Sequence, residues 1–165
     1  MTDITLKVDN GYFNYRVGAI ILDHGCLLMV KNDVEPYYYS VGGRVKFGET
    51  ADDAVLRETW EETHLRFEID RLAFVHENFF LSGLRDSKPC HEISLFFLMK
   101  PRADLHNMRC DSAGGDGQAE SLHWLPISEL ASYPLFPEFF KTELACLKDG
   151  VGHFVTKGEK TFPAK

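Results

Sequence analysis

The sequence predicts an α/β chain, and three observations lead there. Apolar, β-rich runs recur over Tyr12 to Val30, Leu65 to Leu81 and Glu92 to Lys100. A capped stretch of good helix formers begins at Thr50, and a second helical spacing lies beyond Pro137. At 165 residues the chain suits one domain spanning 1–165.

Tyr12 to Val30 reads as a hairpin: Phe13, Tyr15 and Val17 alternate, AIIL and CLLMV are buried-strand runs, and Asp23-His24-Gly25 supplies a turn. YYYSV, Tyr37 to Val41, is a short strand ending at Gly42-Gly43. Thr50 is the expected N-cap, with Asp53 as its capping-box partner ahead of ADDAVLRETWEE. Leu65 to Leu81 and Glu92 to Lys100 form a long hairpin joined by SGLRDSKPCH. Arg109 to Ser121, with three glycines and two aspartates, is a loop, and SLHWL after it is a strand. Pro137 suits N1 of a helix in which Phe139, Phe140, Leu144 and Leu147 recur and Gly150 is the stop; HFVT is a last edge strand.

A net charge of −7 argues against gripping a nucleic-acid polymer, since that affinity rests on clustered Lys and Arg. A small phosphorylated ligand needs only a local cation. No apolar run approaches the ~20 residues of a membrane helix, so no membrane partner is expected. The N-terminus lacks the pattern of a secretory signal, and Cys26, Cys90, Cys110 and Cys146 are scattered without a C-x-x-C pair. Reduced thiols and a cytoplasmic location are the expectation.

The segment RETWEETHL places Glu58, Glu61 and Glu62 within about 100° of arc on one helix face. Like charges at that spacing repel, and near a helix C-terminus the dipole adds to the cost. Either Arg57 offsets a solvated acidic face, or the face holds a hard cation such as Mg²⁺ or Mn²⁺ beside substrate phosphates.

Read with what precedes it, GRVKFGETADDAVLRETWEETHL, Gly43 to Leu65, closely resembles the Nudix box, G-x5-E-x7-R-E-U-x-E-E-x-G-U with U a bulky aliphatic. Every charged position of that pattern is filled. Thr59 stands where an aliphatic residue is usual, and His64 replaces the glycine that ends the helix. His tolerates a left-handed conformation better than most residues.

The resemblance implies a Nudix-type α/β/α sandwich with a mixed, partly antiparallel sheet. It also implies a metal-dependent pyrophosphohydrolase that cleaves a nucleoside diphosphate linked to another moiety X by water attack on phosphorus. On that basis Glu58, Glu61 and Glu62 with the Gly43 carbonyl are the metal ligands, for Mg²⁺ or Mn²⁺, and Glu49 and Arg57 orient them. The base is either Glu58 or a carboxylate outside the box, for which Glu120 is the first candidate and Glu92 a weaker one. Dimerisation is common among similar proteins.

Around the box, Arg16 in FNYRVGAI either meets the pyrophosphate or pairs with an acid at a strand edge. Of Tyr37, Tyr38 and Tyr39, alternate ones either stack on a base or ribose or pack in the core; Tyr39, Gly42 and Gly43 join Arg16 as substrate-binding candidates. Cys90 and His91, adjacent on a strand, point to opposite faces and make a poor nucleophile pair. Two rivals to hydrolysis are a silent nucleotide-binding or sensor domain, which the intact carboxylate set disfavours, and an isoprenoid-diphosphate isomerase, which lacks a placed Cys and Glu acid/base pair.

Overall fold

A computed structural model describes residues 1–8, 10–82, 88–105 and 119–158. Its strands are β1 (Thr5–Val8), β2 (Gly11–Ile20), β3 (Leu22–Asp23), β4 (Cys26–Asn32), β5 (Tyr38–Ser40), β6 (Gly42–Arg44), β7 (Ile69–Leu81), β8 (Pro89–Met99), β9 (Glu120–Pro126), β10 (Leu135–Phe136) and β11 (Gly152–Lys157). The helices are α1 (Ala51–Thr63) and α2 (Phe140–Glu143).

Two mixed sheets result. One runs β1-β2-β8-β7-β11 with β6 also on β2; the other runs β10-β5-β4-β3 with β9 also on β4. β2 and β8 pair in parallel, β7 and β8 antiparallel, and β11 joins β7 in parallel at the edge.

The central strands are apolar on both faces, as strands covered on both sides must be. Successive residues therefore feed two cores. Val17, Ala19, Leu28, Val30 and Phe97 pack with Ala54 and Val55 of α1. Ile20, Leu27, Met29, Phe74 and Phe96 pack with Leu130, Phe140 and Leu144 from the C-terminal segment. A fully buried side chain of this size contributes about 1.5–3 kcal/mol, and Phe140 has no exposed surface. Helical segments thus flank the sheets on two sides.

Helix α1 begins and ends as the residues dictate. The Asp53 amide donates to Thr50 Oγ1 at 3.1 Å and the Thr50 hydroxyl donates to Asp53 Oδ2 at 2.7 Å. At the other end His64 takes the left-handed conformation, φ 56°, and its N–H donates to the Trp60 carbonyl. Thr59, at the usually aliphatic position, is fully buried, and its hydroxyl donates to the Leu56 carbonyl at 3.0 Å.

Several expectations need correction. Tyr12 to Val30 is not one hairpin: only Leu22–Asp23 folds back on Cys26–Leu27, while β2 pairs with β8 and β4 with β9. Runs buried on both faces carry no period that names a partner. The strand through Tyr37 to Val41 does not end at Gly42-Gly43: β5 stops at Ser40, and Gly42–Arg44 forms β6 on the other sheet.

The C-terminal helix is also shorter than its spacing suggested, because four α-helical residues pass into a 3-10 turn, Leu144–Cys146. Arg71 takes the carbonyls of Lys148 and Gly150 at 2.7 and 2.8 Å, which holds the following chain out of a helix. Glu120 and Ser121 belong to β9, not to the loop before it; residues 106–118, which take in most of that loop and Cys110, and residues 83–87 of SGLRDSKPCH lie outside the described residues. No helix among the described residues is long and apolar enough to cross a membrane.

Candidate active site

Arg57 organises the acidic face of α1. Its Nε donates to Glu49 Oε1 at 2.8 Å and its Nη2 to Glu49 Oε2 at 3.0 Å, a bidentate pair, with Nη2 also reaching the Arg44 carbonyl at 3.1 Å. Its Nη1 bridges Glu58 Oε1 at 2.7 Å and Glu61 Oε2 at 3.1 Å. A planar five-donor guanidinium can satisfy this many acceptors at once; an ammonium cannot. The other Glu49 oxygen contact, from the Lys46 amide at 3.0 Å, ties the loop before α1 to the same network.

These contacts split the carboxylates electrostatically. The Arg57 hydrogen bond holds Glu49 below the usual range. Burial pushes Glu58 up, and Arg57 opposes that shift without cancelling it. Glu62 is pushed well above the ordinary value, first by burial and then by the charges of Glu120 and Glu58, with the Gly42 amide opposing.

Glu62 sits apart from the Arg57 network. Its Oε1 accepts from the Gly42 N–H at 3.0 Å, and its Oε2 is buried with no hydrogen-bond partner among the described residues. A buried carboxylate oxygen without a donor costs free energy unless a proton or cation completes it.

The glycines fit this crowding. Gly42 has φ 144°, and a Cβ there would lie 2.2 Å from the Val17 carbonyl oxygen. A Cβ on Gly43 would lie 2.4 Å from Glu58 Oε1, so Gly43 is the space that the Glu58 carboxylate occupies. Gly43→Ala is therefore expected to displace Glu58 and lower turnover by about tenfold or more, with only a small change in melting temperature. A variant with unchanged kcat would contradict this placement.

Glu120 comes to the same neighbourhood from β9. The Tyr39 hydroxyl donates to Glu120 Oε1 at 2.8 Å and accepts from Asn32 Nδ2 at 3.2 Å. Burial and then the Glu120 contact raise the Tyr39 phenol pKa, so it stays a donor. Asn32, which the sequence reading passed over, also accepts from the amides of Val34 and Glu35. The Asn32-Asp33 pair carried the turn chemistry that would have marked it.

Arg16 lies opposite Arg44 on β6 and Ser94 on β8. It makes no ion pair or hydrogen bond with the described residues, and its charge acts on both Glu58 and Glu62. Of the tyrosines, Tyr37 packs edge-on to Phe136 and Tyr38 to His123 and Tyr133, leaving Tyr39 as the one tied to an acid of the site.

The structure thus brings Glu49, Arg57, Glu58 and Glu61 into one network, places Glu62 on Gly42, and sets Arg16 and Glu120 within electrostatic reach of Glu62. Among the described residues no three acidic, His or Cys side chains converge on one point. The donor set nevertheless fits a hard divalent cation. All of it is oxygen, one buried oxygen lacks a partner, and such ions commonly complete their shell with water and substrate phosphate.

A family model of the NUDIX domain matches residues 13–143. The chain belongs to the Nudix hydrolases, enzymes acting on phosphoanhydride bonds. A MutT-like protein of Streptomyces ambofaciens is 26% identical over 149 residues, which cover 89% of this chain and 85% of that protein. Among solved structures, a MutT protein from Bacillus halodurans superposes with a TM-score of 0.61 at 18% identity, covering 88% of this chain and 92% of that one. An ADP-ribose pyrophosphatase from Streptococcus suis gives a TM-score of 0.55 at 13% identity, covering 86% and 98%. At those identities the structures bear on the Nudix fold, which the two sheets and flanking helices of this chain share.

Proposed function

We propose that this Nudix hydrolase is a divalent-cation-dependent pyrophosphohydrolase that cleaves a nucleoside diphosphate linked to a moiety X, with water attacking phosphorus. The observation that carries the reading is the buried Oε2 of Glu62, without a partner among the described residues and within reach of the Glu58 charge, the arrangement of a carboxylate that awaits a cation. Glu58, Glu61, Glu62 and the Gly43 carbonyl would hold Mg²⁺ or Mn²⁺. When bound, such an ion supplies charge neutralisation and acidifies water.

The chain's own residues do the rest. Arg57 and Glu49 fix the Glu58 and Glu61 carboxylates against the box loop. Arg16, unpaired among the described residues, is a cation for a phosphate oxygen, and the Gly42-Gly43 backbone leaves room for one to approach. For the base there are two candidates. Glu58 has its pKa raised by burial, and Glu120 is aimed by the Tyr39 hydroxyl. The pH profile of kcat in Glu120→Gln separates them, since only loss of the base removes the acidic limb.

The test is a hydrolysis screen with Mg²⁺ or Mn²⁺ over dinucleotides, nucleotide sugars, ADP-ribose and oxidised nucleoside triphosphates. At least one should release a nucleoside monophosphate or phosphate, and excess chelator or Glu61→Gln should abolish the release. Full activity in chelator would overturn the reading. Tight binding without turnover across the screen would favour a silent nucleotide-binding domain instead.

A further inference from the structure

Beyond the box, a row of polar side chains interrupts an otherwise apolar sheet face. Asn14 of β2, Glu92 of β8 and Asn78 of β7 lie side by side in register, and Arg16, Ser94 and His76 form the next row. Strand side chains alternate between faces, so both rows share the face of Phe74 and Phe96, which pack on Phe139 and Phe140. Asn14, Ser94, His76 and Glu92 are all buried.

Among the described residues Glu92 has few donors. Its Oε1 accepts from the Ser94 hydroxyl at 3.3 Å and its Oε2 from Asn14 Nδ2 at 3.4 Å, both long for bonds to a carboxylate. No Lys, Arg or His among the described residues forms an ion pair with it. An ionised carboxylate offers about four lone-pair sites, so the described residues fill roughly half of its accepting capacity. His76, its neighbour one row on, is spoken for by Thr156 Oγ1 at 2.9 Å, and burial lowers its pKa to about 4, so it brings no charge at neutral pH.

The position of this acid relative to the box is informative. Gly43 pairs with Val17, Arg16 is the next residue, and Asn14 with Glu92 lies two residues farther along the strand. At about 3.3 Å per residue, Glu92 stands roughly 7 Å beyond Arg16. The charges of Arg16 and Glu92 both act on Tyr37, while Arg16 also acts on Glu58 and Glu62. The order along the sheet is therefore carboxylate cradle, cation, buried acceptor. A phosphate held at Arg16 would direct the group attached to it toward Glu92.

We propose that Glu92, supported by Asn14 and Ser94, is the specificity-determining residue for the non-phosphate part of the substrate. It accepts two adjacent donors, either the N1–H and 2-amino edge of a guanine-type base or the vicinal hydroxyls of a ribose. The proposal rests on the pyrophosphohydrolase reading for the location of the phosphate. Its own content is the choice of the attached group.

The test compares GTP with ITP, which lacks the 2-amino donor, and GTP and ATP with their 2′-deoxy and 3′-deoxy forms, in Mg²⁺. kcat/KM is measured for hydrolysis and Kd by calorimetry with the non-hydrolysable α,β-methylene analogues. Wild type should prefer the donor-bearing member of one pair by about tenfold or more. A base preference identifies the guanine edge and a sugar preference the diol. Glu92→Gln should reduce that preference by about tenfold.

No tenfold preference in either pair, or a preference that survives Glu92→Gln, overturns the proposal. Should Glu92→Gln fail to melt cooperatively, Ser94→Ala carries the test: an unchanged preference overturns the proposal and a threefold or greater loss supports it. Calorimetry separates the two readings. Selection without turnover would sink the hydrolase reading alone, and turnover without selection would sink this one alone.

Discussion

Glu62→Gln is expected to lower kcat by at least about 100-fold and, in chelator, to raise the melting temperature of the protein. The two effects have one cause. Glu62 is buried, one oxygen has a backbone donor and the other has none among the described residues, and Glu58 and Glu120 add repulsion. Its folded-state pKa therefore stands well above its unfolded one.

The sign of the pH dependence follows from proton counts. Between the two pKa values the folded protein holds a proton that the unfolded chain has released. Stability is thus fully present below about pH 4.5 and falls as pH rises toward the folded value. An amide does not ionise, so the advantage of Glu62→Gln over wild type should widen from pH 5 to pH 8. About 1 kcal/mol at the upper end would correspond to roughly 2–4 °C in Tm. Millimolar Mg²⁺ should raise the wild-type Tm, more at pH 8 than at pH 6, because it binds the ionised form. The variant should gain much less. Differential scanning fluorimetry across that grid decides it: a variant less stable at pH 8 in chelator, or equal Mg²⁺ shifts in both proteins, would refute the account.

What could be read from the chain before its folding was the part where chemistry and local structure coincide. Thr50, Asp53 and His64 carry cap information within four residues of where they act, and they cap α1 as expected. The Arg57 to Glu61 contact is likewise local, one helical turn. Partnerships between distant strands were not legible in the same way. β2 and β4 look alike as apolar runs, yet they belong to different sheets, and nothing in a doubly buried strand says which neighbour it takes.

The same holds for side chains whose role is set by register. Asn14 sits between Phe13 and Tyr15 in a strand that advertised only its aromatic alternation. It meets Glu92 across 78 residues of sequence. Glu92, in sequence a weaker candidate for the base, is buried between Asn14 and Ser94. Tyr39 is a substrate-binding candidate in sequence, and its hydroxyl engages Glu120, 81 residues away, a contact the sequence does not announce. Asn32 holds both the turn after β4 and the Tyr39 hydroxyl, a double role that only the folded pairing of β4 with β5 reveals.

Arg57→Ala is expected to be the most destabilising single change at the site. It removes five hydrogen bonds and leaves Glu49 and Glu58, whose side chains are 8% and 14% exposed, with no cation bonded to either among the described residues. Breaking a buried pair by deleting one partner costs about 3–5 kcal/mol; with Arg57 itself partly exposed and Glu61 half-exposed, about 2–4 kcal/mol is the expected loss. Arg57→Lys keeps the charge and loses the fork. One ammonium cannot serve Glu49 from one side and Glu58 with Glu61 from the other, so it should recover part of the stability while kcat stays at least about tenfold down.

The two roles of Arg57 separate in a double-mutant cycle. Adding Glu49→Gln to Arg57→Ala removes the stranded carboxylate, so the pair should be less destabilising than the sum of the singles by about 1 kcal/mol or more. It should restore no activity, because Glu58 and Glu61 still lack the guanidinium that holds them. Urea titrations give the coupling and steady-state kinetics the turnover. Additive stabilities, or an Arg57→Lys enzyme with wild-type kcat, would mean that Arg57 is a surface cation and that Glu58 and Glu61 are positioned by something else.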